Sequence, residues 1–502
     1  MTFLVAGIGW IAPQNRAEAC GGLFCDRQAP VFQTGEQIVF AVDRQANTVD
    51  AVINVQYQGP ASQFAWVLPL QSEPEQIRVA PNQVFTAINN LTTPQFNVTR
   101  ETRGICSQDI AFGAAERTVA VPSVDTGVEV LSNDEVGPYE TVVLKSNDPE
   151  DIRKWLEENE YQVTEAMMES VVPYVAKGDT LLALKLRKDR DAGDIQPIWV
   201  SMKGSLACVP LRMTAIAATD DMGVTVTVLS NEGRAIPSNY NHVKLNLARI
   251  DWARRGANYR QVLSEAVDEG SGNAFTTEFA GSARIFDEQI ASEMGFNREA
   301  LEEARNVSHW YEILRNQGVT VNQDIMDIAE RAQAAGFNGF NVFAATEEVW
   351  SNILQPRVDI QKLFDQYGYA TRVYTLISPE EMNIDPEFEY RADLPDVSNI
   401  HNATIISDCG LGGSPGDAGR ELIIEETGQS FDLDDQPRLD ALPAAAMVEQ
   451  LFERRVITDN TDIIESAMTA CGCTTAKTTG SNGMMGGLAL LAGMLVFRRR
   501  EN

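Results

Sequence analysis

Apolar and polar residues alternate from Glu36 onward. In EQIVFAVD, Ile38, Phe40 and Val42 fall on one face. In VDAVINVQYQG, Val49, Ala51, Ile53, Val55 and Tyr57 alternate with Asp50, Asn54, Gln56 and Gln58. A period of two predicts half-buried strands. QFAWVLPL follows the turn signal Gly59-Pro60, so this part of the chain predicts a meander or hairpin set. PNQVFTAINNLT changes period: Val84, Ala87, Ile88 and Leu91 sit at helical spacing shortly after Pro81.

The middle mixes the two periods in clusters. SNDPEDIRKWLEENEY carries a helix start, with Asp148 as N-cap, Pro149 in the first turn, and Glu150 and Asp151 near the positive end of the dipole. Ile152, Trp155 and Leu156 make its apolar face. TEAMMESVVPYVAKGD predicts a second helix, interrupted or ended near Pro173, with Gly178 as a stop. TLLALKLRK, QPIWVSMKG, VTVTVLS and HVKLNLARI then alternate as long strands. Asn297 to Ala335 is helical, with Leu301, Ala304, Val307, Tyr311 and Leu314 on one face; ATRVYTLIS and NATIISDC return to strand. Clustered strands and helices, without βαβα alternation, predict an α+β fold, mainly antiparallel. No internal repeat is visible.

Composition adds a boundary and removes a class of partners. At 44% hydrophobic residues the chain of 502 has ample material for a core. Its 71 Asp and Glu against 40 Lys and Arg leave a formal charge of −31, which repels nucleic acid and anionic surfaces. Beyond about Gly410, GLGGSPGDAG and DLDDQPRLDALPAAA are loose, acidic and Pro-bearing. The main domain is therefore expected over 20–410, with an acidic appendage or linker over 411–470. PAAAMVEQLFERRV within it is readable as a packed helix through Val448, Leu451 and Phe452.

Little in the sequence points to catalysis. His242 alternates with Val243, Leu245 and Leu247, His309 falls off the apolar stripe of its helix, and His401 lies in a polar turn. All three are expected to face solvent. No histidine spacing suits a metal, and no GxSxG elbow or phosphate-binding loop occurs. CGLGGSPG follows a strand but precedes RELIIEET, another strand, so it reads as a hairpin loop. Asp189, Asp191 and Asp194, and likewise Asp432, Asp434 and Asp435, read as charged turns in place of calcium loops. No metal or cofactor is expected, and no pair of carboxylates is singled out for hydrolysis.

The ends say more. The apolar run Phe3 to Ala12 followed by Ala17-Glu18-Ala19 matches an export leader over 1–19, although a basic start is missing. The rival is a lipoprotein leader acylated at Cys20. Export makes Cys20, Cys25, Cys106, Cys208 and Cys409 disulfide candidates, with the connectivity open. The last stretch, 471–502, joins Cys471 and Cys473, a Thr/Ser/Gly spacer, the apolar run Gly483 to Phe497, and Arg498, Arg499 and Arg500. As a short hydrophobic helix that run would span about 22 Å against a hydrocarbon core of about 30 Å. It predicts a temporary membrane handle whose arginines stay cytoplasmic.

This tail resembles the MYXO-CTERM sorting tag of myxobacteria. The resemblance implies an intramembrane sorting protease as partner, cleavage near Cys471 or Cys473, lipid modification of a cysteine, and passage from the inner membrane to the cell surface. CGGLFCDR, TGEQIVFAVD, VQYQGPASQFAWVLPL, WLEENEY, IQPIWV, LRMTAIAATDD, SPEEMNIDPEFEY and DVSNIHNATIISDC resemble the domain of unknown function 2330 family. That family implies no activity. The expectation is an exported envelope or surface protein with a structural or binding role; the alternative is a secreted hydrolase using carboxylates.

Overall fold

The alternation in the first hairpin becomes β1 (Phe32–Asp43) and β2 (Thr48–Gln58), antiparallel, with Ile38 opposite Ile53 and Phe40 opposite Ala51. The turn is held by Asp43 Oδ1, which accepts from the amides of Gln45 and Ala46 at 2.8 and 2.9 Å. Both faces of this hairpin are covered. Ile38, Phe40 and Val42 enter one apolar cluster, while Val39, Ala41 and Val52 enter another with Trp199 and Phe364.

The structure is a computed structural model that describes residues 32–58, 65–104, 133–159, 161, 163–186, 195–287, 296–334, 339–409 and 419–469. The hairpin lies inside a ten-stranded sheet. Its order is β21 (Arg455–Asp459), β20 (Ala445–Gln450), β13 (Asn241–Leu245), β14 (Ala274–Ser282), β15 (Tyr369–Ile377), β11 (Ala218–Ser230), β1, β2, β9 (Ile198–Lys203) and β4 (Pro74–Val79). Two pairs are parallel, β1 with β11 and β13 with β14, and the others are antiparallel. Three smaller sheets accompany it. One joins β10 (Ala207–Cys208), β16 (Glu387–Arg391) and β12 (Arg234–Pro237). The second joins β19 (Ser430–Asp432), β18 (Gly419–Ile424), β17 (Ile400–Cys409) and β5 (Gln95–Gly104). The third joins β3 (Ala65–Leu70), β8 (Thr180–Leu186), β7 (Tyr139–Leu144) and β6 (Asn133–Val136). The fold is thus mixed, with large, mainly antiparallel sheets and several helices.

The helix starts read from sequence are in place. Asp148 accepts from the Glu150 amide at 2.9 Å and caps Pro149–Glu158, which buries Ile152, Trp155 and Leu156. The next helix, Glu165–Lys177, runs through Pro173 and stops at Gly178, whose φ of 85° favours glycine. It survives its proline because Tyr174 and Val175, after the break, are packed into a buried cluster. Asn297 to Ala335 is divided: Arg298–Glu302, Val307–Asn316 and Gln323–Ala334 are separate helices, and Asn306 caps the second by accepting from the His309 amide. Trp310, not Tyr311, takes the centre of that cluster, and its indole donates to Thr346 Oγ1 at 3.0 Å.

Residues set apart by composition after 410 are built into the same unit, which extends to Met468. β18 pairs with β17 and β20 with β13. Leu422, Ile424, Phe431 and Val448 are buried beside Trp252 and Val243. PAAAMVEQLFERRV forms the β20–β21 hairpin in place of a helix, because Ala445 and Val448 face the core from a strand already paired to β13. No helix among the described residues is long and apolar enough to cross a membrane. The leader over 1–19 and the tail with its hydrophobic segment lie outside the described residues.

A candidate binding site where the sheet forks

β13 and β14 begin as neighbours and then part. They pair only at Asn241 with Ala274 and His242 with Phe275. β13 stays paired to β20 on its other edge, from His242 opposite Glu449 to Leu245 opposite Ala445, whereas β14 goes on with β15, with Thr276 opposite Tyr374. Between the parted strands lies a cavity of about 330 Å³. β13 lines it with His242, Lys244 and Leu245, and β14 with Thr276, Thr277 and Glu278. Phe96 of β5, Leu247, Val397 and His401 of β17 supply further wall.

Three successive side chains of one strand should not share a cavity, since alternation sends neighbours to opposite faces. The register slips between Thr277 and Phe279, so Glu278 is the extra residue of a β-bulge. A bulge of this kind re-aims side chains and recurs beside functional sites.

Glu278 is buried and fully engaged. Its Oε2 accepts from Arg372 Nε at 2.5 Å, and its Oε1 accepts from the Tyr259 hydroxyl at 2.6 Å. Arg372 in turn donates to Asn89 Oδ1 and Thr92 Oγ1 at 2.7 and 3.3 Å. Burial, reinforced by Glu278, pushes the Tyr259 phenol well above its ordinary range, so it stays a donor. The other carboxylates are also occupied. Glu426 lies 2.9 Å from His401 Nδ1, and His401 stacks on Phe96 with ring centres 5.1 Å apart. Lys244 Nζ lies 2.9 Å from Glu449 Oε1, and the polar neighbours of that carboxyl hold it below its ordinary value.

His242 is buried, and burial keeps its imidazole below the ordinary histidine value despite Glu449. Its Nε2 is 3.0 Å from Thr277 Oγ1, and its Nδ1 is 3.4 Å from Glu449 Oε1. Hydroxyl, imidazole and carboxylate in that order are the parts of a general-base relay. Here the Nδ1 approach is long and not aligned as a hydrogen bond, and Thr277 Oγ1 already accepts from Arg234 Nη2 at 2.8 Å. The arrangement holds the hydroxyl in place more than it activates it.

Arg234 completes the lining. It is 6% exposed, and among the described residues its acceptor besides Thr277 is the Pro395 carbonyl, at 3.4 Å. Among the described residues no carboxylate forms an ion pair with it, and its Nε has no acceptor. Burial lowers its basicity.

Residues 14–295 match the family described as an uncharacterized protein conserved in bacteria, domain of unknown function 2330. The chain belongs to this family. Arg234, His242, Thr277 and Glu278 fall within the matched residues of the domain of unknown function 2330; His401, Glu426 and Glu449 come from the chain beyond it. SPEEMNIDPEFEY and DVSNIHNATIISDC, which also suggested the family, lie beyond the matched part. Comparison with curated proteins and with solved structures returns no match.

The structure relocates the histidines. His242 is not on a solvent face: Thr277 and Glu449 lie against its ring, so this polar position is internal although Lys244, two residues on, is exposed. His401 is in β17, half-buried against Phe96, and not in a turn. His309 is half-buried, with its Nδ1 accepting from the Arg305 amide at 3.2 Å. Among the disulfide candidates, Cys208 is a free thiol, and burial pushes it up to about 12. Cys20, Cys25 and Cys106, the Cys409 side chain, Asp189, Asp191, Asp194, Cys471, Cys473 and Arg498 to Arg500 lie outside the described residues. Asp434 serves a turn as expected, accepting from Arg420 Nε at 2.7 Å. Sequence reasoning missed Arg234, Thr277, Glu278 and Arg372. The available signal was a charge inside an apolar strand, Glu278 in AFTTEFAGS and Arg372 in ATRVYTLIS.

Proposed function

We propose that this family member is an exported surface protein whose ectodomain binds a small ligand in the fork between β13 and β14 and does no chemistry on it. The carrying observation is the cavity of about 330 Å³ with apolar walls and a few convergent polar groups, the usual make-up of a small-molecule site. Glu278, Glu426 and Glu449 are all engaged by neighbouring side chains, which disfavours a hydrolase built on carboxylates. The pattern of the first 19 residues supports export. The tail supports a transient stay in the inner membrane, cleavage near Cys471 or Cys473 by an intramembrane sorting protease, and surface display on a lipid-modified cysteine.

The cavity is tested on the full chain with the neutral fluorophore N-phenyl-1-naphthylamine. Saturable one-site binding that Val397→Trp abolishes is expected, with p-nitrophenyl ester hydrolysis at the buffer rate. Absence of binding, or turnover lost in Thr277→Ala, overturns the reading. Sorting is tested by the C-terminal peptide of surface material, which is expected to lack Arg498 to Asn502; its retention in full means an ordinary anchor.

A further inference from the structure

The ionisable groups around the fork do not cancel one by one. Glu278 pairs with Arg372 and Glu449 with Lys244, while Glu426 faces His401, which is a cation only when protonated. Arg234 is the cation that no carboxylate meets within ion-pair distance: its acceptors among the described residues are a hydroxyl and a carbonyl, and Glu449 acts on it only from farther away. Arginine is rarely buried without an anion, because taking its charge out of water is costly. A chain that tolerates such a group beside a cavity has placed a charge where an anion can reach it.

We propose that the ligand is a compact organic carboxylate, with its anionic end at Arg234 and Thr277 and its apolar body against Phe96, Leu247 and Val397. This rests on the cavity reading above. One guanidinium neutralises one negative charge, and the planar fork of arginine matches a carboxylate. A doubly charged phosphate would leave excess negative charge next to Glu278, Glu426 and Glu449. The apolar wall and the cavity volume suit a body of moderate size in place of a sugar or a nucleotide.

The test displaces N-phenyl-1-naphthylamine from the full chain with hexanoate and with its neutral isostere hexanamide. Hexanoate is expected to act at a concentration at least tenfold lower, as a charge-assisted bond implies. Arg234→Met is expected to weaken hexanoate alone and bring the two together, and Arg234→Lys to keep part of the preference. The wild-type comparison needs no variant, so a variant that fails to fold does not rescue the proposal. Equal displacement by acid and amide, or displacement by neither, overturns the carboxylate while the cavity reading stands. A preference that survives in folded Arg234→Met overturns it too, since the anion then sits elsewhere. Failure of the fluorophore itself to bind removes the cavity reading and this inference with it.

Discussion

Arg372 and Arg234 are buried to nearly the same degree, 5% and 6% exposed, and both reach the same bulge in β14. Arg372 takes Glu278 and adds Asn89 and Thr92, so its charge is balanced inside the fold. Arg234 takes the adjacent Thr277, and among the described residues no carboxylate forms an ion pair with it. One extra residue in a strand thus serves two arginines in different ways. The balanced one ties β15, β14 and the helix Gln83–Thr92 together. The other joins β12 to β14 through a hydroxyl and faces a cavity. A buried charge that the fold satisfies is architecture, and one it leaves unbalanced is a candidate for reception.

The comparison can be broken first at the architectural arginine. Arg372→Met leaves Glu278 buried with Tyr259 as its remaining donor. Loss of one partner of a buried pair costs about 3–5 kcal/mol. Urea unfolding of the variant should show a loss of this size, and a loss below about 1 kcal/mol would mean that Glu278 is balanced by other groups.

A buried carboxyl with no cation paired to it among the described residues sharpens the contrast. Glu36 is fully buried, accepting at Oε2 from Gln33 Nε2 and Thr214 Oγ1 at 3.1 and 3.3 Å. Burial raises it to about 7, outweighing these bonds. Between the ordinary carboxyl value and 7 the folded chain keeps a proton that the unfolded chain releases. Its contribution is therefore intact at acid pH and is lost as pH rises through 7. Glu36→Gln should match the wild type near pH 4 and exceed it at pH 8 by up to about 3 kcal/mol. A constant difference across that range would show that Glu36 titrates normally.

Gly256 probes the wall of the cavity. Its φ of 79° is costly for other residues, and an added Cβ would come 2.3 Å from Phe96 Cδ2. Phe96 stacks on His401 and packs edge-on to Trp252. Gly256→Ala should cost about 1–3 kcal/mol and weaken fluorophore binding together with stability. A loss of stability with unchanged binding would detach Phe96 from the ligand.

Much of this fold is legible in the sequence. Period-two runs give β1, β2, β15 and β17, and Asp148 with Pro149 marks a helix start, because local rules suffice there. Asn306 shows where they fail. A cap in mid-segment divides a stretch whose apolar spacing reads as continuous. The fork is a non-local feature. His242, Glu449 and Thr277 meet because His242 is paired to β20 on one edge of β13 and to β14 on the other, and strand choice leaves no mark on composition. The acidic look of 411–470 hid Leu422, Ile424 and Val448, which complete the core. The polar look of His242 assumed a wet position; the face is wet at Lys244 and covered at His242.

The smallest expected effect tests the central claim most directly: the stability of the ligand-free full chain carrying Arg234→Met, measured by urea unfolding beside the wild type. If Arg234 is held for a ligand, an apolar side chain of similar length removes an unbalanced buried charge. The variant should then unfold within about 1 kcal/mol of the wild type, or be more stable. A loss of about 3 kcal/mol or more, comparable to that of Arg372→Met, would contradict the account, because Arg234 would then be a structural cation like its neighbour.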